Sequence, residues 1–357
     1  MKEHVVFIVE PFFGGSHALW IHQLIKHLSC KTVVFSLPAS HWKWRMTASA
    51  LTLAKRVNES ELHPEVILTT DMLDVALFKS LLRPELQSVR LVCYMHENQL
   101  VYPMQNKSNP NWDRHYAFKN FTSCFVADRV CFNSEYHKSA FLKSLRPFLQ
   151  AFPDHQPLQE IIEIEQKSTV LYPGIDVDEL KGYKQPKSHR PTVLWSHRWE
   201  HDKNPQEFFD ALLALSAEGL DFDVIVCGEH YKKSPDCFAK AKERLSKHLV
   251  HWGYFNNREA YLHALWKATV LPVSSFQENF GISVLEAAFC GCELILPNRL
   301  VYSELYSNSA QFYSNQDEFI HLLRDHITKN KQETTSPNFE RFSWISLIEA
   351  YQEVLFS

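Results

Sequence analysis

Short apolar runs alternate with amphipathic segments along the chain. The first run, residues 4–9, is followed by Gly14-Gly15 and then by apolar positions at helical spacing from Leu19 to Leu28. This pattern predicts a buried strand, a turn and a helix, the repeating unit of a doubly wound parallel sheet. We predict further strands at residues 32–35, 66–68, 89–95, 129–132, 168–172, 192–196, 222–227, 249–252, 268–273 and 293–296. We predict helices at 46–57, 73–82, 111–125, 135–145, 205–217, 236–247, 258–267, near 281 and 301, at 316–327 and at the end of the chain.

One polar, turn-rich segment, from Gly182 to Pro191, interrupts this alternation and is predicted to be the interdomain linker. We therefore expect a first domain at 1–182, a second at 190–335 and a final helix at 340–357, with residues 328–339 as a solvated connector. The predicted fold class is α/β, with two Rossmann-like parallel sheets and a cleft between them. In such sheets ligands bind at the carboxyl ends of the strands.

Composition narrows the function classes. The hydrophobic content of 45% is that of a globular protein. Residues 1–185 carry 20 Lys and Arg against 19 Asp and Glu, and the remainder carries 17 against 22, so neither half is a basic nucleic-acid binder by charge alone. The eight cysteines form no Cys-x-x-Cys pair, which favours a reducing compartment. Without a signal-like segment or a run of ~20 apolar residues, we expect a cytoplasmic protein.

The stretch from Ser274 to Ala288 contains the clearest candidate chemistry. A strand at 268–273 leads into a polar loop, and a helix is predicted to begin near Gly281. The free amides of a helix start bind anions, and Glu278 and Glu286 on either side would hold hydroxyl groups. The alternative is that Ser283 and Glu286 form the solvated stripe of an amphipathic helix.

A second polar loop follows the first strand of the second half. Its Arg198 and Lys203 would clamp a diphosphate and stabilise the charge of a leaving phosphate. The alternative is a solvated charged loop in which Glu200 and Asp202 are local partners.

In the first half, Gly14 and Gly15 allow the backbone to approach a phosphate or a sugar, although any tight turn also favours such a pair. His96, beside Glu97 and Asn98, follows a predicted strand and would bond a substrate hydroxyl, or it is structural. The histidines at 17, 96, 197 and 201 lack zinc-site spacing, so we predict no metal site.

Bases and aromatics are interleaved at Trp42, Lys43, Trp44 and Arg45. This pattern is compatible with a nucleic-acid strand, with an interfacial membrane patch and with a core edge whose bases extend to solvent.

The Glu278 and Glu286 pair, the Arg198 and Lys203 loop and the Gly14-Gly15 turn together resemble the retaining glycosyltransferases of the family-4 type. That resemblance spans nearly the whole chain and implies the two-domain GT-B fold, with a final helix returning to the first domain. It implies that Glu286 holds the donor ribose, Glu278 the sugar hydroxyls, and Arg198 and Lys203 the diphosphate. The remaining donor-binding and sugar-facing positions that it implies are Phe280, Gly281, Ile282, Gly14, Gly15 and His96. Gly228, Glu229 and Tyr254 are candidates for the base pocket by position.

Six segments are similar to a narrower group, the tRNA-queuosine α-mannosyltransferases. These are residues 11–17, 37–45, 96–103, 197–203, 249–254 and 276–286. This resemblance implies GDP-mannose as donor and the cyclopentenediol of queuosine in the anticodon of tRNA for Asp as acceptor. We expect that the transfer requires no metal or other cofactor. The acceptor-binding positions are then His17, Trp42, Lys43, Trp44, Arg45, Glu97 and Asn98. The chain departs from the broader family pattern because it lacks a glycine just before Arg198 and just after Lys203, and has one glycine at 228.

Three alternative functions remain open from the sequence. The first is transfer from a nucleotide sugar to a lipid or a glycan. The second is a catalytically silent protein that binds a nucleotide sugar and tRNA. The third is an epimerase of the same fold that acts on the nucleotide sugar alone.

Overall fold

The computed structural model describes residues 4–102, 114–229, 234–329 and 339–357. Two units can be distinguished. Unit 1 consists of Met1–Gly174 and Phe342–Ser357, and unit 2 consists of Ile175–Arg341.

Within its described residues, unit 1 contains a six-stranded parallel sheet in the order β2-β1-β3-β4-β5-β6. Its strands are β1 (Val5–Phe13), β2 (Lys31–Pro38), β3 (Val66–Thr70), β4 (Arg90–Met95), β5 (Arg129–Phe132) and β6 (Ser168–Val170). The helices between them are α1 (Gly15–His27), α2 (Trp42–Asn58), α3 (Val75–Leu81), α4 (Pro84–Gln87), α5 (Arg114–Val126), α6 (Glu135–Gln150) and α7 (Glu160–Gln166).

Alternate side chains of β1 enter two different cores. Phe7 and Val9 join a cluster that also contains Leu53, Phe78 and Phe141 from the helices on one face of the sheet. The intervening residues of β1 join the cluster on the other face, which includes Trp20, Leu24 and Trp344. A strand covered on both faces is apolar at successive positions, which is why residues 5–9 form a continuous run.

Unit 2 repeats this architecture with a different strand order, β12-β11-β10-β7-β8-β9 among its described residues. Its elements are α8 (Val177–Gly182), β7 (Thr192–Ser196), α9 (Pro205–Ala217), β8 (Asp223–Cys227), α10 (Cys237–Arg244), β9 (Leu249–Trp252), α11 (Arg258–Lys267), β10 (Val270–Pro272), α12 (Ile282–Phe289), β11 (Glu293–Pro297), α13 (Tyr302–Tyr306), β12 (Ala310–Tyr313) and α14 (Gln316–Lys329). A 3-10 turn at His201–Lys203 precedes α9.

The strand order reverses at one point in each sheet. In unit 1 the chain leaves β1 toward both neighbours, β2 and β3, and in unit 2 it leaves β7 toward β8 and β10. Loops that follow the strands on either side of such a reversal diverge and leave a crevice for ligands. The loops after β1 and β3, and those after β7 and β10, are therefore the places where a site is expected.

The last helix, α15 (Trp344–Phe356), belongs to unit 1. Ser343 caps its start by accepting a hydrogen bond from the Ser346 amide. Tyr351 donates to the Tyr172 carbonyl and accepts from the Trp20 indole, so the helix is bonded to both the end of the sheet region and α1.

The predicted linker at 182–191 does not separate the two units, because the division falls at Gly174–Ile175. Three hydrogen bonds attach the segment to unit 2: Gln185 donates to the His263 carbonyl, Lys187 to the Ala268 carbonyl and the Ser188 amide to the Lys267 carbonyl. The polar composition of the segment reflects these backbone contacts.

The α/β fold class is confirmed, and the local differences have physical causes. The sequence predicts the end of β1 at residue 9, yet pairing with β2 continues to Phe13 through an irregularity after Glu10. The edge strand β12 was not predicted, because only Tyr313 in it is fully buried. The short helices α4, α7 and α8 were also not predicted. The predicted start of the helix at 111–125 lies outside the described residues. Most of the predicted connector at 328–339 also lies outside them. Across the described ranges, no helix is long and apolar enough to cross a bilayer.

Candidate functional site

The loops after β7 and β10 are joined to each other in unit 2. The Phe276 amide donates to the Asp202 carbonyl at 2.7 Å, and the Ser274 hydroxyl donates to the Lys203 carbonyl at 3.0 Å. These bonds bring the loop that contains Arg198 and Lys203 against the loop that contains Glu278. Both loops follow strands on either side of the reversal in strand order.

Lys203 is buried, with 9% of its side chain exposed, and it lies between two carboxylates. Its Nζ is 3.2 Å from both Asp202 Oδ2 and Glu278 Oε2, and it donates to the Gln277 carbonyl at 2.9 Å. Burial opposes its charge, but Glu278 and Asp202 outweigh burial and raise the pKa of Lys203. The solvated-loop alternative therefore does not describe Lys203, which is a fixed buried cation.

Arg198 is more open, with 36% of its side chain exposed, and its guanidinium is 3.1 Å from Glu200. The next strand end packs directly against this loop. Gly228 has φ of 112°, and a Cβ atom there would lie 2.1 Å from the His197 carbonyl oxygen. The Trp199 amide donates to the Glu229 carbonyl at 2.9 Å, so the loops after β7 and β8 are hydrogen-bonded to each other.

The other base-pocket candidate, Tyr254, follows β9 and is 52% exposed. The structure thus joins Gly228 and Glu229 to the Arg198 loop and gives no such bond for Tyr254 among the described residues.

The start of α12 presents backbone amides next to Glu278. Gly281 precedes the helix with φ of 81°, a conformation that glycine adopts without strain. The Phe280 amide is 3.5 Å from Glu278 Oε1, and the Glu278 side chain packs against Gly281. Phe280, Gly281 and Ile282 therefore lie at the positive end of helix α12. The Glu278 carboxylate and the Lys203 ammonium lie beside them.

Glu286 lies one turn inside α12, only 3% exposed, so it is not part of a solvated stripe. Arg258 donates to its Oε1 at 2.5 Å and Tyr261 donates to its Oε2 at 3.0 Å. Both partners belong to α11. Arg258 also bonds Glu179 of α8 at 3.0 Å.

Unit 1 has its own polar cluster at the reversal in strand order. His17 of α1 lies 2.9 Å from Glu10 Oε2, and its ring is 4.1 Å from the His96 ring. The His96 amide donates to Asp71 Oδ1 at 2.8 Å, just after β3, and Asn133 donates to the His96 carbonyl. The loops after β1, β3 and β4 thus converge on the two histidines.

The protonation states of this cluster follow from burial and charge. Burial lowers the pKa of His17, but Glu10, Asp71 and Glu97 reverse this effect and raise it to about 9. Burial and the His17 charge hold the pKa of His96 well below 6.5. Burial raises the pKa of Asp71 to about 7 against the opposing charge of His17. At neutral pH the cluster therefore pairs a cationic His17 with a neutral His96.

The glycine turn and the polar residues after β4 contribute to the local structure as well as to the predicted chemistry. A Cβ at Gly14 would lie 2.5 Å from the Ala39 Cβ, so its bare backbone is needed for packing, and Gly15 has φ of 51°. Asn98 is buried, and its Oδ1 accepts from the Leu100 and Val101 amides, which folds the loop. Glu97 contributes charge to the His17 cluster.

The aromatic and basic residues at 42–45 form the first turn of α2. Trp42 packs against Tyr116 at a centroid distance of 5.3 Å, and Lys43 lies over the Trp42 ring. Arg45 donates to the Pro38 carbonyl and to Ser40. Trp44 is 62% exposed. Trp42 is thus a core edge, whereas Trp44 is presented to solvent.

The sequence predicts no metal site, because zinc spacing is missing. The fold nevertheless brings ligand atoms of Glu10, His17 and His96 all within 4.8 Å of one another. Glu10 and His17 of this group form an ion pair with each other. The metal-free assignment stays a prediction.

Several residues of the two clusters were not singled out from the sequence. Arg258 and Tyr261 lie on a helix that was predicted for its periodicity only, and nothing local links them to Glu286. Glu10 did carry a signal, because a carboxylate directly after an apolar strand run is unusual unless it is paired. Asp71, directly after β3, carried the same strand-end signal as His96.

Comparisons with known proteins extend this picture. Residues 5–175 match the family model described as tRNA-queuosine alpha-mannosyltransferase N-terminal, and residues 176–334 match glycosyl transferases group 1. The tRNA-queuosine alpha-mannosyltransferase of Drosophila melanogaster is 36% identical over 99% of this chain and 96% of its own length.

Solved structures with much lower identity show the fold. Anabaena HepE in complex with UDP and glucose has a TM-score of 0.69 at 14% identity and covers 98% of this chain and 99% of its own. Sucrose-phosphate synthase from Thermosynechococcus elongatus has a TM-score of 0.70 at 13% identity, covering 99% and 98%. These likenesses confirm the predicted GT-B fold class of two Rossmann-like units. The full-length relationship and the match of residues 5–175 show that the chain belongs to the tRNA-queuosine alpha-mannosyltransferase family of glycosyltransferases.

Proposed function

We propose that this protein transfers mannose from GDP-mannose, with retention of configuration, to the cyclopentenediol of queuosine in the anticodon of tRNA for Asp. The observation that carries the proposal is the 36% identity with the Drosophila enzyme over 99% of the chain. An acceptor-specific function is favoured because the likeness includes unit 1, where the matching family model is particular to this group.

The arrangement in unit 2 supports a nucleotide-sugar donor. The amides at the start of α12, Lys203 and Arg198 are cationic or positively polarised groups, which suits a diphosphate. Glu278 and Glu286 are acceptors, which suits hydroxyl groups. In this mechanism the cationic groups stabilise the leaving diphosphate as the glycosidic bond breaks, and the acceptor hydroxyl attacks from the same face.

No metal is required in this proposal, because Lys203, Arg198 and the helix amides supply the positive charge that a cation would otherwise contribute. In this proposal His96, neutral at physiological pH, bonds a hydroxyl of the sugar. The free thiols of the cysteines, all of which lie in described ranges, fit a reducing compartment such as the cytoplasm.

The first turn of α2 supports an RNA acceptor. Trp44 offers an exposed ring for stacking on a base, and Lys43 and Arg45 on the same turn offer charge for phosphates. The other acceptor contacts in this proposal are His17, Glu97 and Asn98 of unit 1.

The test is incubation of the protein with GDP-mannose, and separately with UDP-glucose, in the presence of queuosine-containing or queuosine-free tRNA. Nucleoside mass spectrometry is expected to show a gain of one hexose on queuosine with GDP-mannose alone. A hexose on a lipid or glycan extract, donor conversion without any acceptor, or binding of donor and tRNA without turnover would each replace this proposal with one of the alternative functions.

A further inference from the structure

The carboxylate of Glu286 is fixed from two sides within unit 2. Arg258 donates to one oxygen and Tyr261 to the other. The Tyr261 hydroxyl is also 3.1 Å from Ser196 Oγ at the end of β7, and the guanidinium of Arg258 lies 5.3 Å from the centre of the Tyr261 ring. Because Glu286 is buried, these contacts decide how its carboxylate is oriented.

This arrangement leaves the two carboxylate oxygens of Glu286 equally able to accept a further hydrogen bond. Each carboxylate oxygen accepts about two hydrogen bonds, and the described residues supply one to each. One acceptor position then remains on each of two adjacent oxygens. Two adjacent acceptors are complementary to two adjacent hydroxyl groups, as on a vicinal diol.

The local charge suits a hydroxyl ligand. Arg258 is one cation shared between two carboxylates, those of Glu286 and Glu179, so the group of three carries a net negative charge. Hydroxyl donors would form charge-assisted hydrogen bonds with the carboxylate there.

We propose that Arg258 and Tyr261 are positioning residues that orient Glu286 as a two-point acceptor for the 2′,3′-diol of the donor ribose, and so make donor binding depend on both ribose hydroxyls. This inference rests on the proposed function, since it requires a nucleotide-sugar donor. It assigns discrimination between ribo- and deoxyribonucleotides to a contact between α11 and α12.

Two substitutions separate the contribution of Tyr261 to the orientation of Glu286 from that of Arg258. Tyr261→Phe removes one hydroxyl and keeps the ring under the guanidinium. Arg258→Lys keeps the charge and removes the planar fork that reaches both carboxylates. Arg190→Lys is a matched control, because Arg190 also bridges two carboxylates, Asp221 and Asp223, and has no contact with Glu286 among the described residues.

The measurement is calorimetric binding of GDP, 2′-deoxy-GDP and 3′-deoxy-GDP, and of UDP with its deoxy counterparts, to the full chain. We expect the native protein to prefer the ribonucleotide about tenfold or more over either deoxy form, as for hydrogen bonds to a charged group. Tyr261→Phe and Arg258→Lys are expected to weaken ribonucleotide binding about fivefold or more and to leave the deoxy forms nearly unchanged, so the preference shrinks. Arg190→Lys is expected to keep the full preference.

Equal loss for ribo- and deoxynucleotides in both variants would overturn the inference, because it would indicate a general packing defect. Native protein that binds nucleotide with no dependence on the ribose hydroxyls would also overturn it and would leave the proposed function standing. Native protein that binds neither nucleotide would overturn both. Loss of folding in Arg258→Lys, seen as a lowered Tm, leaves Tyr261→Phe to decide.

Discussion

Lys203 Nζ lies 3.2 Å from Glu278 Oε2, which joins the loop after β7 to the loop after β10 by a buried ion pair. In the sequence these residues belong to separate motifs. In unit 2 the two side chains are in contact. Lys203, which is expected to bind the diphosphate, is oriented by Glu278, which is expected to bind the sugar. Chemistry and stability are therefore coupled at this position.

Lys203→Ala is expected to lower both transfer and stability. Mannosyl transfer should fall about 100-fold or more, as when one group that stabilises developing charge is removed. The free energy of unfolding should fall by about 3 kcal/mol, because Asp202 and Glu278 are left facing each other without a cation. Activity assays and urea unfolding measure the two effects. Lys240→Ala, an exposed residue on α10, is the control and should change neither. A fully stable Lys203→Ala protein would contradict the buried-pair interpretation.

The pairing of Glu10 with His17 predicts a loss of stability in mild alkali. The pKa of His17 rises from about 6.5 to about 9 on folding, so its contribution is complete below pH 6.5 and is lost as the pH rises through 9. Urea unfolding of the native protein at pH 6.5 and 9.5 should differ by on the order of 2–3 kcal/mol from this group.

His17→Gln should remove most of that pH dependence, whereas His155→Asn should retain it. His155 is exposed and has φ of 45°, a conformation that asparagine tolerates. An unchanged pH profile in His17→Gln would show that another group is responsible.

Gly228→Ala is expected to destabilise unit 2 by about 2–4 kcal/mol. The added Cβ would meet the His197 carbonyl at 2.1 Å, and φ of 112° is unfavourable for alanine. Thermal unfolding measures the effect. Gly182→Ala is the control, since a Cβ at that position would meet nothing within 4 Å. Equal Tm values for the two variants would mean that the loop after β7 moves to accommodate the added Cβ without a loss of stability.

Removal of divalent cations is expected to leave transfer unchanged. Lys203, Arg198 and the α12 amides supply positive charge for the diphosphate in the proposed mechanism, so dialysis against EDTA should not alter the initial rate. A rate that falls on dialysis and returns with Mg²⁺, Mn²⁺ or Zn²⁺ would contradict this and would direct attention to Glu10, His17 and His96.

Trp44→Ala is expected to weaken tRNA binding without lowering stability. Trp44 is 62% exposed, and loss of one stacked base costs about 1–3 kcal/mol, so the KM for tRNA should rise about tenfold. Kinetics with tRNA measure this, and Tm checks the fold. Val250→Ala, an exposed apolar residue of unit 2, is the matched control. If both variants have the native KM, the first turn of α2 is not part of the acceptor surface.

The sequence by itself determined the alternation of strands and helices and the strand-end positions of Glu278, Lys203, His96 and Gly14. Periodicity and chain reversal are local properties, so apolar runs and glycine turns report them directly. The resemblance of its motifs also identified the family. The unit boundary and the edge strand β12 were not accessible in the same way, because they depend on which neighbour a segment packs against.

Tertiary structure alone decided how the polar residues are paired. Arg258 and Tyr261 reach Glu286 only because α11 packs beside α12, and Glu10, His17 and Asp71 meet only because β1 and β3 are neighbours in the sheet. Strand order and helix packing are set by the burial of whole faces, which a pattern along one segment does not specify. The burial of Lys203 is the clearest case: the sequence describes a charged loop, and the fold makes that charge a buried, oriented cation.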